Sequence, residues 1–387
     1  MKYIAYTVAT LTILYLGVHF TIPKMKQKEM NQTTLQKPYV VHDSVQTFYN
    51  SLEFISDLHC DALLWDWDLN EEHSYGHLDL PRMASANMAM QAFTIVSKTP
   101  RNMNFDHNTG DTDNITLLAF AQAWPLSTWF SLKQRALYQS EKLIQFAQEN
   151  PNFQVITSKK SFKTFLDKRK TNRSLTGGFI GLEGAHPLEN KLESIQEMYD
   201  AGVRMVGLTH FFDNEMGGSA HGVSKAGLTE FGKRAIREFE ARGMLIDLAH
   251  ASPQLITDVL NLATRPIIVS HTGVKGTSNS PRNLSDAHLK QIAKNGGIVG
   301  ISFFKPAISK TDVASIVDAI LYTKRLIGIQ HIAIGSDFDG AVTTPFDVTG
   351  LPLLVQEMLN AGLSKDEIRF IMGENVKRIL LEYLPET

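Results

Sequence analysis

Eight short apolar runs, each followed by a polar or amphipathic stretch, constrain the fold of this chain more than any other feature. They fall at 54–58, 87–96, 178–182, 203–208, 244–248, 266–270, 297–303 and 331–335. The intervening stretches 229–242, 253–263, 285–295 and 311–327 carry helical spacing, with Ser285 and Thr311 placed to cap and Gly243, Gly296 and Gly328 placed to stop. Strand then helix, repeated, is the pattern of a parallel sheet, and eight repeats close it into a (β/α)8 TIM-like barrel. Such a barrel needs about 250 residues, so a chain of 387 holds one with insertions. The main insertion follows the second strand, from 97 to 177, and its part 114–150 reads as a helical hairpin or one long helix. It is expected to form a pocket rim or an oligomer contact. Two closing helices are expected over 347–383, with Gly362 between them and Ser364 and Glu367 as a capping box.

A formal net charge of -2 gives no basic excess, which sets nucleic-acid binding aside. Cys60 is the only cysteine, so no intramolecular disulfide can form. Residues 3–22 are apolar apart from a few hydroxyls and His19, about 20 residues, enough to cross a bilayer as a helix. The domain reading is a signal anchor or signal peptide at 1–23, a polar tether at 24–45 and the barrel at 46–387. It implies a membrane-anchored catalytic domain that is exported to the periplasm or outside, or secreted if the segment is cleaved.

In such a barrel the C-terminal ends of the strands converge, so the residues ending the runs are the ones to compare. The first run ends in His59 and Asp61, two apart and therefore on one face. The third ends in Glu183, the fourth in His210, the fifth in His250, the sixth in His271 and the eighth in Asp337. Six of eight strands finish in a side chain suited to zinc, which a set of unrelated capping or surface residues would not produce. Cys60, between two of these residues, faces the other way and reads as a buried structural thiol.

These strand ends sit in motifs that resemble the renal (membrane) dipeptidase family of zinc metallopeptidases. The segments are Asp57-Leu-His-Cys-Asp61, Gly181-Leu-Glu-Gly-Ala-His186, Leu208-Thr-His210, Ile246-Asp-Leu-Ala-His250, Ser270-His271, Pro281-Arg-Asn283 and Gly335-Ser-Asp-Phe-Asp-Gly340. The resemblance runs in order from about 54 to 384 and is to the bacterial members. It implies a metal-dependent hydrolase barrel with two Zn2+ per chain. His59 and Asp61 would hold the first ion, His250 and His271 the second, with Glu183 between them. It also implies that His210, Arg282 and Asn283 contact substrate, that Asp337 lies beside the metal-bound water, and that a homodimer is possible. Ala185 replaces a glycine of the commoner motif, and the segment after His210 lacks the tryptophan of animal members, which leaves side-chain preference open.

The chemistry is consistent with those roles. Two zinc ions carry four positive charges and Asp61 with Glu183 cancels two, so a bridging water could ionise near pH 7. The resulting hydroxide would attack the peptide bond of a dipeptide, His210 would steady the oxyanion and Asp337 would shuttle the proton. Arg282 offers a planar fork for the terminal carboxylate. The alternatives are another binuclear amidohydrolase acting on a cyclic amide or lactam, and a non-catalytic barrel. Asp57 reads as an orienting or a simply buried group, His186 as a support for a ligand or a loop residue, and Asp339 as a loop residue. His73, His77 and His221 read as surface residues, with the pocket as the alternative.

Overall fold

The structure, a computed structural model, describes residues 2–387, except the side chains at 2, 4, 5, 8, 9, 11–14, 16, 18 and 20. All eight expected strands are present: β1 (Ser56–Cys60), β2 (Met90–Val96), β3 (Thr176–Glu183), β4 (Val203–Gly207), β5 (Leu245–Asp247), β6 (Ile268–Thr272), β7 (Ile298–Ile301) and β8 (Ile332–Ile334). Each pairs in parallel with its sequence neighbours, and Ile334 opposite Asp57 brings β8 back to β1, so the sheet closes. Helices such as Glu230–Ala241, Pro253–Leu262, Asp286–Lys294 and Val313–Ile327 fill the connections.

The barrel interior is built in layers. Leu58, Ala92, Phe179, Met205, Leu245, Ile268, Ile298 and Ala333, one from each strand, belong to an apolar cluster with Val376, Ile379 and Leu380 of the C-terminal helix. Two residues further along, Thr94, Asp247 and Ser270 point the same way and form the polar layer above. At that level β7 and β8 press on β6. A Cβ on Gly300 or Gly335 would lie 2.1 or 1.8 Å from the Ser270 carbonyl oxygen, so only glycine fits beneath the polar layer.

Helix ends follow the sequence closely. Ser285 caps its helix through the His288 amide, and Gly243, Gly296 and Gly328 have φ of 72, 83 and 85°. Asp312, not Thr311, caps Val313–Ile327, since its carboxylate is the group that accepts the Ser315 amide. The Ser364–Glu367 capping box forms as expected. Within the insertion, the part 114–150 is two helices, Ile115–Ala121 and Leu132–Glu149, separated by a short 3-10 turn, and not one long helix; a short strand, Phe153–Val155, parallel to β3, and a third helix, Lys159–Arg169, complete it.

The N-terminal segment differs from its reading. Backbone from Lys2 to Met30 is one helix. The anchor expected at 1–23 lies in large part on side chains outside those described, and among the described residues no helix is long and apolar enough to cross a membrane. The tether expected at 24–45 is bound chain. Gln32 and Thr33 pair in parallel with Thr343 and Thr344, and Lys37 meets Asp347 at 2.5 Å. A polar composition was compatible with both outcomes, because backbone pairing needs no apolar side chain.

Candidate metal centre

Glu183, the last residue of β3, is the hub of the site. Its Oε1 lies 3.4 Å from His59 Nε2, 3.2 Å from His250 Nε2 and 3.4 Å from His271 Nε2, and its Oε2 lies 3.2 Å from His210 Nε2. His59 Nε2 is also 3.5 Å from Asp61 Oδ1 and 4.0 Å from Asp337 Oδ1. All seven side chains are buried. Three sets have ligand atoms close enough to share one cation: His59, Glu183 and His271; Glu183, His210 and His250; and His59, Asp61 and Asp337. His59 and Asp61 share one of these sets, and His250 and His271, whose Nε2 atoms are 3.0 Å apart, both lie against Glu183 Oε1, so the expected pairs sit side by side around one carboxylate.

Ser270 explains why the nitrogens point inward. Its hydroxyl donates to Asp247 Oδ2 at 2.6 Å, and it lies 3.0 Å from His59 Nδ1 and 2.9 Å from His271 Nδ1. A serine has one proton; with that proton given to Asp247, both imidazoles must donate from Nδ1. Their Nε2 lone pairs are then free for a cation, the arrangement in which a carboxylate fixes the tautomer of a ligating histidine. Asp247 also accepts the Ser270 and Ala249 amides. Thr94 Oγ1 lies 2.6 Å from Asp61 Oδ1 and steadies that carboxylate in the same way.

Backbone strain aims two further groups. His250 and Asp337 have φ of 61 and 66°, a left-handed conformation uncommon outside glycine. Gly340 passes so close that a Cβ there would lie 2.2 Å from Asp337 Oδ1. Asp57 touches no imidazole nitrogen. It accepts the Ser336 amide at 2.8 Å and the Ser336 hydroxyl at 2.5 Å, which fixes the residue before Asp337.

The residues fit a cationic group. His59 Nε2 is buried with no hydrogen-bond partner, and His250 Nε2 lies 3.0 Å from the His271 Nε2 lone pair and 3.2 Å from Glu183 Oε1, a cluster of donor atoms closing on one space. The electrostatics agree. Burial and the nearby Asp61 push Glu183 up to about 7, and burial raises Asp337 well above the usual carboxylate range. Burial, then the neighbouring cationic groups, holds His250 and His271 well below theirs. Neutral imidazoles beside crowded carboxylates are what a divalent cation stabilises.

Arg282 reaches the same space. Its Nη2 donates to the His271 carbonyl at 2.8 Å, and its guanidinium lies 5.0 Å from the centre of the Phe304 ring. Its Nε has no partner. Asn283 does not join. Its amide nitrogen donates to the Ser278 and Ala307 carbonyls at 2.7 and 2.9 Å, so it ties two loops together and does not line the cavity. Asp61, Glu183, His210, His250, Arg282 and Asp337 open into a cavity of about 940 Å³, walled further by Met103, Phe105 and Leu118 of the insertion and by Ile22, Lys26 and Met30 of the N-terminal helix.

Three residues read as surface or loop prove buried. His221 lies against Phe211, with Nδ1 3.0 Å from the Phe105 carbonyl, and so binds the insertion to the centre. His77 accepts the Asp339 amide at Nδ1, 2.9 Å, and meets the Gln32 carbonyl at Nε2, 2.9 Å. Asp339 accepts the His77 and Leu78 amides. His186 meets Asn214 at 2.9 Å and packs on Phe212. His73 is partly buried and stacks on Trp67. Cys60 is buried as expected. Asp247, Ser270 and Thr94 were given no role from the sequence; Asp247 and Ser270 lie on strands just before a ligand position, the one signal available, and Thr94 lies on the strand beside His59 and Asp61 with no such signal.

A family model described as membrane dipeptidase (peptidase family M19) matches residues 28–383. Dipeptidase verJ of Clonostachys rogersoniana is 34% identical over 208 residues, 52% of this chain and 54% of that protein. An uncharacterised dipeptidase of Schizosaccharomyces pombe is 33% identical over 213 residues, 52% and 51%. The chain thus spans about half the length of these relatives. Among solved structures, the dipeptidase AC, a metallopeptidase, superposes with a TM-score of 0.72 at 24% identity, covering 86% of this chain and 99% of that one. A metallopeptidase from Rhodobacter sphaeroides, liganded with a phosphinate mimic of the dipeptide L-Ala-D-Ala, gives 0.65 at 23%, covering 85% and 99%. At these identities the two structures speak for the fold.

Proposed function

The chain belongs to the membrane dipeptidase family, peptidase family M19, and from that premise we propose that it is a zinc-dependent dipeptidase with two metal ions. The observation that carries the reading is Glu183, one carboxylate within 3.4 Å of four imidazole nitrogens that have no cation of their own. His59, Asp61, Glu183, His250 and His271 would hold the ions. His210, in contact with Glu183, would face the substrate oxygen. Bound zinc would supply Lewis acidity, enough to bring the ionisation of water to about pH 7.

The protein's own groups do the rest. Arg282, buried and with a free Nε, binds the substrate's terminal carboxylate through its planar fork. A requirement for that carboxylate next to the scissile bond restricts cleavage to the bond of the C-terminal residue, the bond every dipeptide presents. His210 donates to the developing oxyanion. Asp337 takes a proton at its carboxylate oxygen from the attacking water and returns it to the departing amine; its raised pKa suits a group that must both hold and release it.

The test is a metal analysis with kinetics on L,L and L,D dipeptides. About two zinc ions per chain and turnover of free dipeptides are expected. Asp337→Asn should lower kcat by about 100-fold to 10,000-fold, and Arg282→Ala should act mainly on KM. Full metal occupancy without turnover of any dipeptide, or faster hydrolysis of cyclic amides indifferent to Arg282→Ala, overturns the reading.

A further inference from the structure

The loop that follows β8 carries Asp337, and it is an improbable conformation to hold unaided. Asp337, Asp339 and Ala341 all have positive φ, 66, 58 and 59°, three non-glycine residues in alternate positions of one short loop. Backbone of this kind persists only where neighbouring groups over-determine it. The barrel supplies part of that support, through Asp57 on Ser336. The Asp61 amide on the Phe338 carbonyl, Trp65 Nε1 on the Asp339 carbonyl and the His77 and Leu78 amides on the Asp339 carboxylate add to it, and a further part comes from a segment outside the barrel. Asn31 Oδ1 accepts the Ala341 amide at 2.9 Å; Gln32 and Thr33 pair with Thr343 and Thr344; and the Thr34 and Leu35 amides donate to the Thr344 and Pro345 carbonyls at 2.9 Å each. His77 closes the arrangement, with one ring nitrogen on the Gln32 carbonyl and the other on the Asp339 amide.

We propose that residues 31–35 are a positioning strap for the catalytic loop, and that Asn31 and His77 set the placement of Asp337 without touching substrate. This rests on the dipeptidase reading for its kinetic consequence and on geometry alone for its structural one. Asn31 is 3% exposed, and its amide donates from the end of the N-terminal helix to the Gln27 carbonyl, so the strap is rigidly joined to what precedes it. A reacting group displaced by about 1 Å loses on the order of 100-fold in rate, so a slack loop should be read in kcat.

The experiment uses the full chain with Asn31→Ala, Asn31→Asp and His77→Ala. Asn31→Ala removes the acceptor for Ala341, and Asn31→Asp keeps an acceptor oxygen in place. Asn31→Ala is expected to lower kcat by about tenfold or more with KM and zinc content within a factor of two, and Asn31→Asp to restore most of the loss. Amide hydrogen exchange at Asp339 and Gly340, which Asn31 does not contact, is expected to rise in Asn31→Ala, and by a similar factor at Gly340 in His77→Ala, where the Asp339 amide loses its own acceptor. Unchanged exchange at those two amides, or a fall in kcat that Asn31→Asp does not recover, overturns the strap. If the wild-type chain turns over no dipeptide, the functional reading fails, and the exchange measurement still decides this one.

Discussion

Ser270 has one proton and three polar neighbours, and that arithmetic sets the chemistry of the centre. Removing the hydroxyl leaves both His59 Nδ1 and His271 Nδ1 without an acceptor and Asp247 without its donor. Ser270→Ala should therefore lower zinc affinity by about 10-fold to 100-fold while leaving the far-ultraviolet spectrum unchanged; competition against a chromophoric chelator measures it, and affinity within twofold would show the tautomers are set elsewhere. His221 gives a second prediction, in pH. Burial, reinforced by Arg282, holds its imidazole down to about 3. Below pH 6.5 the unfolded chain takes up a proton there that the folded chain refuses, so acid favours unfolding. The site costs the folded state about 1.4 kcal/mol per pH unit, or roughly 2 kcal/mol between pH 6.5 and pH 5. His221→Gln lacks that term. Urea unfolding should show the stability gap between wild type and variant narrowing by about 2 kcal/mol over that range, and a constant gap would mean the folded protein carries the charge.

At the scale of elements, the insertion after β2 shows what the sequence can and cannot convey. Its helices are legible because their apolar residues recur at helical spacing, but the fastening is not. Arg135 of Leu132–Glu149, 2% exposed, donates to Asp113 and to the Ser97 and Thr128 carbonyls, and so pins the polar loop 97–113 from the far side of the insertion. Arg135→Met leaves the partly exposed Asp113 without its cation and the Ser97 and Thr128 carbonyls without their donor, at a cost of about 1–3 kcal/mol. Limited proteolysis should then cut first within 97–113, with KM raised because Met103 and Phe105 leave the cavity wall; cleavage elsewhere first would contradict this. The same division runs through the whole chain. The strands and six of their terminal ligands follow from local periodicity, since a strand end must converge with its neighbours once the barrel closes. His221, His77, Asp339 and residues 31–35 owe their roles to partners a hundred or more residues away in sequence, and nothing in their own neighbourhoods distinguishes them from solvated loop. The left-handed backbone at His250 and Asp337 is likewise a product of closure, and Asn283, adjacent to Arg282 in the motif, turns away for the same reason.

For the molecule as a whole, the proposed dipeptidase activity would be selective through the walls of the cavity assembled by the barrel, the insertion and the N-terminal helix. Outside the ligand cluster the cavity contains no carboxylate among the described residues: the charged groups are Arg282, Lys26 and Lys305, and the remainder includes Leu64, Trp65, Val96, Met103, Phe105, Ile115, Leu118, Phe211 and Phe304. With Arg282 engaged by the substrate's carboxylate, a lysine or arginine side chain at the substrate's N-terminal residue would meet Lys305 and the Glu29-paired Lys26 and no wall carboxylate to bind it. A leucine or phenylalanine would be buried, and full burial of such a side chain is favourable by about 1.5–3 kcal/mol. Differential binding of that size that persists in the transition state appears as roughly a 10-fold to 150-fold advantage in kcat/KM. With alanine fixed as the C-terminal residue, the expected order is Phe-Ala and Leu-Ala above Gly-Ala, and Gly-Ala above Lys-Ala. Leu118→Asp supplies a carboxylate to the wall contributed by the insertion, away from the metal centre. It should cut Phe-Ala hydrolysis tenfold or more, raise Lys-Ala, and leave Gly-Ala within a factor of two. Equal kcat/KM across the panel would place the dipeptide's side chain in solvent, and a preference for Lys-Ala in the wild type would mean that the wall facing the substrate is not the one formed by Phe105 and Leu118.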